Sequence, residues 1–178
     1  KMVEEPPVKT LFIFITHAPE KVLQTIFSRC QSIRVMPLTK EESARVEALR
    51  PSVDREEYDA QMDLFSDLMN ALVSRDLMGT LECAETMAAL DSREKQKAFC
   101  TFAADCIRKI FMIQQNLHQL AGVSSQEEDF YMGISGKIAK TLCTRTITNI
   151  EKAVAMIDRN VNSKIVFCDL VNRMFINI

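Results

Sequence analysis

Apolar residues return every three or four positions from Tyr58 to Met174, and this helical period is the feature that most limits what the chain can fold into. Tyr58, Met62, Phe65, Leu68, Met69 and Leu72 make a first stripe. Asp76 is placed to cap a second helix through Leu77, Leu81, Ala84 and Ala88. Asp91 or Ser92 can cap a long third one, with Phe99, Phe102, Cys106, Ile110, Ile113, Leu117 and Leu120 on one side and Gly122 closing it. Ser125-Gln126-Glu127-Glu128 reads as a capping box, and Phe130, Ile134, Ile138 and Leu142 follow at intervals of four. A fifth helix holds Ile147, Ile150, Val154 and Ile157; a last one begins near Asn162 or Ser163 and buries Ile165, Val166, Leu170 and Met174. Five or six such helices pack antiparallel as an all-α domain. Only 4 of 178 residues are Gly, against roughly 7% in an average chain, too few for a glycine-rich phosphate loop together with the turns of a large sheet domain.

The first 40 residues read differently. Leu11-Phe12-Ile13-Phe14-Ile15-Thr16 is a continuous apolar run of strand length, suited to burial on both faces of a parallel sheet. Pro19 and Glu20 suit the first turn of a helix with Val22, Leu23, Ile26 and Phe27 as its stripe, ended by Ser28-Arg29-Cys30. Ser32-Ile33-Arg34-Val35-Met36 alternates like a second strand. One strand–helix–strand unit has no sheet of its own, and Lys1 to Pro7 reads as a helix end halted by Pro; both features predict a fragment of a longer protein. After Pro37, Thr39-Lys40-Glu41-Glu42 is a capping box for a short helix to about Leu49, interrupted at Arg50-Pro51-Ser52.

Residues 41–94 carry five Lys or Arg against fourteen Asp or Glu, whereas 137–178 carry seven against three, so a net charge of -2 hides an acidic middle and a basic tail. The basic set Lys137, Lys140, Arg145, Lys152, Arg159 and Lys164 has few aromatics among it, which argues against a base-stacking platform and leaves phosphate contact open. Gly133-Ile134-Ser135-Gly136-Lys137 has neither the spacing nor the preceding strand of a phosphate loop. The stripe from Phe130 to Leu142 runs through it, so the two glycines are expected to allow a close helix crossing. His118 lies beside an apolar stripe, and His17 at the carboxyl end of the expected strand, where open α/β sheets bind ligands. Cys30, Cys83, Cys100, Cys106, Cys143 and Cys168 never form C-x-x-C; no zinc or redox motif is present, and reduced, mostly buried thiols in a cytoplasmic setting are expected. No signal peptide is visible, and no apolar run reaches the roughly 18 to 20 residues of a membrane span. The carboxylates of the acidic middle fall on helix faces with no sign of a cleft, and Arg29 by spacing alone is a lone arginine.

Taken in order, Glu4-Glu5-Pro6-Pro7, Thr10 to Thr16, Ala18-Pro19-Glu20-Lys21, Thr25-Ile26, Ser28-Arg29-Cys30-Gln31 and Pro37-Leu38 resemble bacterial clamp-loader subunits, the AAA+ proteins of the DNA polymerase III holoenzyme. Thr16-His17-Ala18-Pro19-Glu20-Lys21 is more similar to the delta prime type than to the gamma/tau ATPase, and Asn160 to Leu170 resembles the last collar helix of delta prime chains. The resemblance implies a mainly α fold: a remnant of an AAA+ α/β domain over residues 1–38, a shortened lid or linker at 39–51, and a helical collar, the oligomerisation domain, over 52–178. It implies that Thr16 occupies a sensor position. It also implies that Arg29, with Ser28 and Cys30 of its motif, is an arginine finger acting on ATP bound by a neighbouring subunit, the chain itself holding neither cofactor nor metal. The implied partners are the gamma/tau and delta subunits, the sliding clamp indirectly, and primed DNA through the complex, with no membrane. The nucleotide-binding part and its zinc-binding cysteines are absent from this sequence. A gamma-type ATPase subunit and a helical interaction module without catalysis are the alternatives.

Overall fold

The computed structural model describes residues 8–16, 19–36, 42, 45, 52–123 and 127–178, without the side chains of 52–54. The chain divides into two units, Lys1–Ala44 and Arg45–Ile178. The capping box expected at Thr39 to Glu42 falls largely outside the described residues, as do Ser125 and Gln126 of the second box and His17.

In the first unit, residues 10–16 and 31–36 carry no regular secondary structure, which corrects the two expected strands. A strand exists only when its N–H and C=O groups find another strand, and the described residues of the unit offer none. The apolar run accordingly stays in solvent: Leu11 is 82% exposed and Ile15 88%. Phe12 and Phe14 stack on each other, with ring centroids 6.3 Å apart. The expected helix from Pro19 shrinks to a 3-10 turn, Pro19–Lys21, and one α-helical turn, α1 (Gln24–Phe27). So short a helix gains too few hydrogen bonds to offset its nucleation cost without a packed face, and Leu23 and Phe27 are exposed.

The second unit is built from α2 (Ser52–Val73), α3 (Leu77–Ala88), α4 (Arg93–Gln114), α5 (His118–Ala121), α6 (Glu128–Ser135), α7 (Lys140–Asp158) and α8 (Ser163–Ile176). Three starts follow from side chains that take over a free backbone N–H: Asp76 accepts from Gly79 N, Ser92 from Lys95 N, and Asn162 from Lys164 N and Ile165 N. Phe65, Leu68, Met69 and Leu72 of α2 are buried as their spacing predicts. On α3 the buried set is Thr80, Cys83, Ala84 and Met87, so Leu77, 45% exposed, lies off the core face. On α8, Val166, Phe167, Leu170, Val171 and Met174 are buried, and Ile165 is exposed, against expectation.

Two expected continuous helices are broken. The third helix stops at Gln114; Asn116 takes a left-handed φ of 60°, and only the short α5 follows, with Leu117 and Leu120 exposed. Gly122, at φ 62°, closes α5 in the left-handed conformation that glycine adopts without a Cβ clash. The stripe from Phe130 to Leu142 is likewise split between α6 and α7. Gln114 Nε2 donates to the carbonyls of Ser135 and Ile138, at 2.9 and 2.8 Å, and so satisfies groups freed by the break. A Cβ on Gly133 or Gly136 would meet nothing within 4 Å among the described residues, so the close helix crossing expected of them is not seen there.

Neighbours in sequence are not always neighbours in space. α4 packs mainly on α7, α3 mainly on α8, and α8 also touches α7, while α2 leans on α3 and α6 on α4. Polar links hold this order. Gln96 is buried, donates through Nε2 to Ala88 O at 3.0 Å, and accepts from the Ser163 hydroxyl at 2.7 Å, which joins the starts of α4 and α8. Arg93 donates to Ile157 O at 2.9 Å, a carbonyl at the end of α7 that also accepts from Asn160 N at 3.0 Å.

Candidate functional site

Ser28-Arg29-Cys30 follows α1 directly, and all three residues are exposed. Ser28 ends the helical turn with φ -69°. Its hydroxyl donates to Thr25 O at 3.3 Å, and Arg29 Nη1 donates to the same carbonyl at 2.8 Å. The local cause is the helix end itself, whose last carbonyls lack partners and carry the negative end of the peptide dipoles. Arg29 is thereby tied through one N–H to its own turn, with its planar guanidinium exposed. Thr16 ends the extended run and is exposed. The arrangement presents an exposed cation; among the described residues no nucleophile is seen paired with a base there.

Cysteine chemistry is muted in the helical unit. Burial pushes the thiols of Cys100, Cys106 and Cys143 up to about 12, 11 and 11, and raises Cys83 as well. Cys106 also receives a hydrogen bond from Tyr131 Oη at 3.2 Å. Thiols held protonated at neutral pH are poor nucleophiles and poor metal ligands. All six cysteines are free; Cys30 is exposed and Cys168 half-buried. Among the described residues, no three His, Cys, Asp or Glu side chains are grouped to hold a metal ion. No helix among them is long and apolar enough to cross a membrane.

A second place gathers polar groups that the sequence keeps apart. Thr144, Arg145, Thr148, Asn149 and Lys152 of α7 face Arg173 of α8 and Asn177, which follows it, across an open groove of about 400 Å³. Arg145 Nη1 donates to Asn177 Oδ1. Arg173 Nε pairs with Asp169 at 2.7 Å, and that hydrogen bond and charge hold its guanidinium even more firmly protonated. Arg145 and Lys152 belong to the basic set read from the sequence. Arg173, Asn177 and the threonines were not singled out, although 145, 148, 149 and 152 share one face by helical spacing. The remaining members of the basic set do not line the groove, and Lys164 pairs with Glu85 at 2.7 Å.

Residues 1–39 match the family model described as DNA polymerase III, delta subunit. This segment is therefore similar to the DNA polymerase III clamp-loader family. The clamp-loader match contains Thr16, Ser28, Arg29 and Cys30, and leaves the helical unit from Arg45 onward outside it. No curated protein and no solved structure matches the chain.

Proposed function

We propose that the chain is a delta-prime-like clamp-loader subunit whose Arg29 completes an ATP site on an adjacent subunit. The observation that carries this reading is the exposed Ser28-Arg29-Cys30 motif at a helix end, inside the one segment that matches the clamp-loader family. A guanidinium presented this way suits the charge that builds on the transferred γ-phosphoryl group, where a finger arginine in related phosphoryl-transfer systems contributes about 10³ to 10⁵ in rate. Thr16 would sit at a sensor position next to the same nucleotide. The partners are the gamma/tau and delta subunits, with the sliding clamp and primed DNA engaged through the assembled complex. The cytoplasm is the compartment of that machinery. The helical unit would be the collar that holds the assembly together, since a multi-helix unit with its own core can do this without the first unit's help. ATP would be bound by the neighbour, so no catalysis is assigned to this chain alone.

The test is Arg29→Ala in the protein reconstituted with gamma and delta subunits. DNA-stimulated ATP hydrolysis is expected to fall while the subunits still co-elute on a sizing column. Unchanged hydrolysis by an intact complex would overturn the assignment. Failure of the wild-type chain to co-elute would favour a helical interaction module instead.

A further inference from the structure

We propose that the groove between α7 and α8 binds the phosphodiester backbone of a nucleic acid strand without reading its bases. Every residue that lines it is a hydrogen-bond donor: two arginines, one lysine, two threonines and two asparagines. Among the described residues Lys152 makes no ion pair, Arg145 donates to the neutral amide of Asn177, no carboxylate lines the groove, and nearby Asp169 is paired with Arg173. The two threonine hydroxyls already donate to Thr141 O and Thr144 O, and Asn177 Nδ2 to Arg173 O, so the cations and the Asn149 amide are the groups that would meet phosphate oxygens, as such groups do in protein–nucleic acid contacts.

The shape favours a chain of anions over a single one. Arg145 and Lys152 are seven residues apart, which is about 10 Å along a helix axis, too far for one phosphate to be shared. Even at the roughly 3.4 Å of axial rise per nucleotide of a duplex strand, that span takes in more than one phosphate. The absence of any aromatic ring among the lining residues removes base stacking. The absence of any apolar side chain among them also disfavours an acidic peptide, because peptide grooves draw their affinity from buried apolar or aromatic anchors. This inference stands apart from the role given to Arg29, which lies in the other unit.

Fluorescence anisotropy of a labelled 20-residue oligothymidylate, titrated with the whole chain, tests it. The net charge of -2 makes the chain as a whole repel a polyanion, so binding at low salt reports a local site. Affinity is expected to fall with salt. Lys152→Glu is expected to weaken it about tenfold at 100 mM salt, and Lys152→Gln by less. The Arg145→Glu/Lys152→Glu double variant should flatten the salt slope by about 1.4, at roughly 0.7 per lost phosphate contact. Lys95→Glu, an equal change of charge on α4, should leave binding within twofold. Circular dichroism establishes that each variant is folded. The proposal is overturned if the wild type does not bind at 20 mM salt, or if Lys95→Glu weakens binding as much as Lys152→Glu. It is equally overturned if polyglutamate of matching charge displaces the oligonucleotide at the same concentration, which would make an acidic protein segment the occupant.

Discussion

The two units spend similar side chains in opposite ways. Leu11, Ile13, Ile15, Ile33 and Val35 of the first unit stand at least three-quarters exposed, whereas Phe65, Met69, Leu72, Ile107 and Phe167 of the second are wholly buried. Hydrophobicity does not separate them; backbone hydrogen bonding does. A helix satisfies its N–H and C=O groups within its own segment, so an apolar stripe needs only another stripe to pack on, and 52–178 supplies several. An extended run must borrow partners from another strand before burial can begin. One unit therefore carries its own core, and the other presents a motif whose apolar surroundings remain uncovered.

The widest gap between the units is expected at alkaline pH. The thiols of Cys100, Cys106 and Cys143 have an ordinary value of 9.0 and are held at about 12, 11 and 11 in the folded helical unit. Below pH 9 both folded and unfolded chains keep these protons, and nothing changes. Between pH 9 and about 11 the unfolded chain releases protons that the folded one retains, so stability falls as pH rises, by at most about 4 kcal/mol per pH unit for the three together. The urea midpoint of the helical unit, measured under reducing conditions, should be level from pH 7 to 8.5 and drop steeply by pH 10.5. A midpoint that stays level throughout would mean these thiols are not sealed in a core. Exposed Cys30 should meanwhile react with a thiol reagent in the native protein, well ahead of the four buried thiols.

Core truncation gives the next largest contrast. Phe167, fully buried on α8, should cost about 3 to 5 kcal/mol when changed to Ala, through lost burial and the cavity left behind. Ile15→Ser, on the 88% exposed run, should change the stability of the same chain by less than about 0.5 kcal/mol. Chemical denaturation of both variants measures the difference. A comparable loss from Ile15→Ser would show that the first unit's apolar run is covered in solution.

Much of the helical unit was legible because its signals are local. The caps Asp76, Ser92 and Asn162 lie within three residues of the groups they satisfy, and Phe65, Met69, Cys106, Ile110, Ile150 and Leu170 keep the period of their helices. The breaks were not legible. Leu117, Leu120 and Ile138 continue the period across turns, so spacing alone cannot show where the helix stops. The side chain that satisfies the turn after α6 is Gln114, 21 residues before the Ser135 carbonyl it meets. The groove is hidden for the same reason: Arg173 reaches Thr144 and Lys152 only once α8 folds against α7. Conversely, the Ser28-Arg29-Cys30 motif was readable as a sequence, while the strands expected beside it depend on partners that no local pattern supplies.

The smallest effect isolates one of those local signals. Asp76 Oδ1 accepts from Gly79 N at 3.0 Å, and a Cβ built on Gly79 would lie 2.7 Å from Asp76 Oδ2. Glycine at 79 is thus the space that lets the cap close. Asp76→Ala should cost about 1 kcal/mol. Gly79→Ala should be near neutral, because the roughly 1 kcal/mol that Ala gains over Gly in a helix is offset when the carboxylate is pushed off its N–H. In the Asp76→Ala background the clash is gone, and Gly79→Ala should then stabilise by up to about 1 kcal/mol. A double-mutant cycle by urea denaturation reads this coupling directly. Additive effects would mean that the carboxylate moves aside without losing its bond, and that Gly79 is tolerated at this helix start, not required by it.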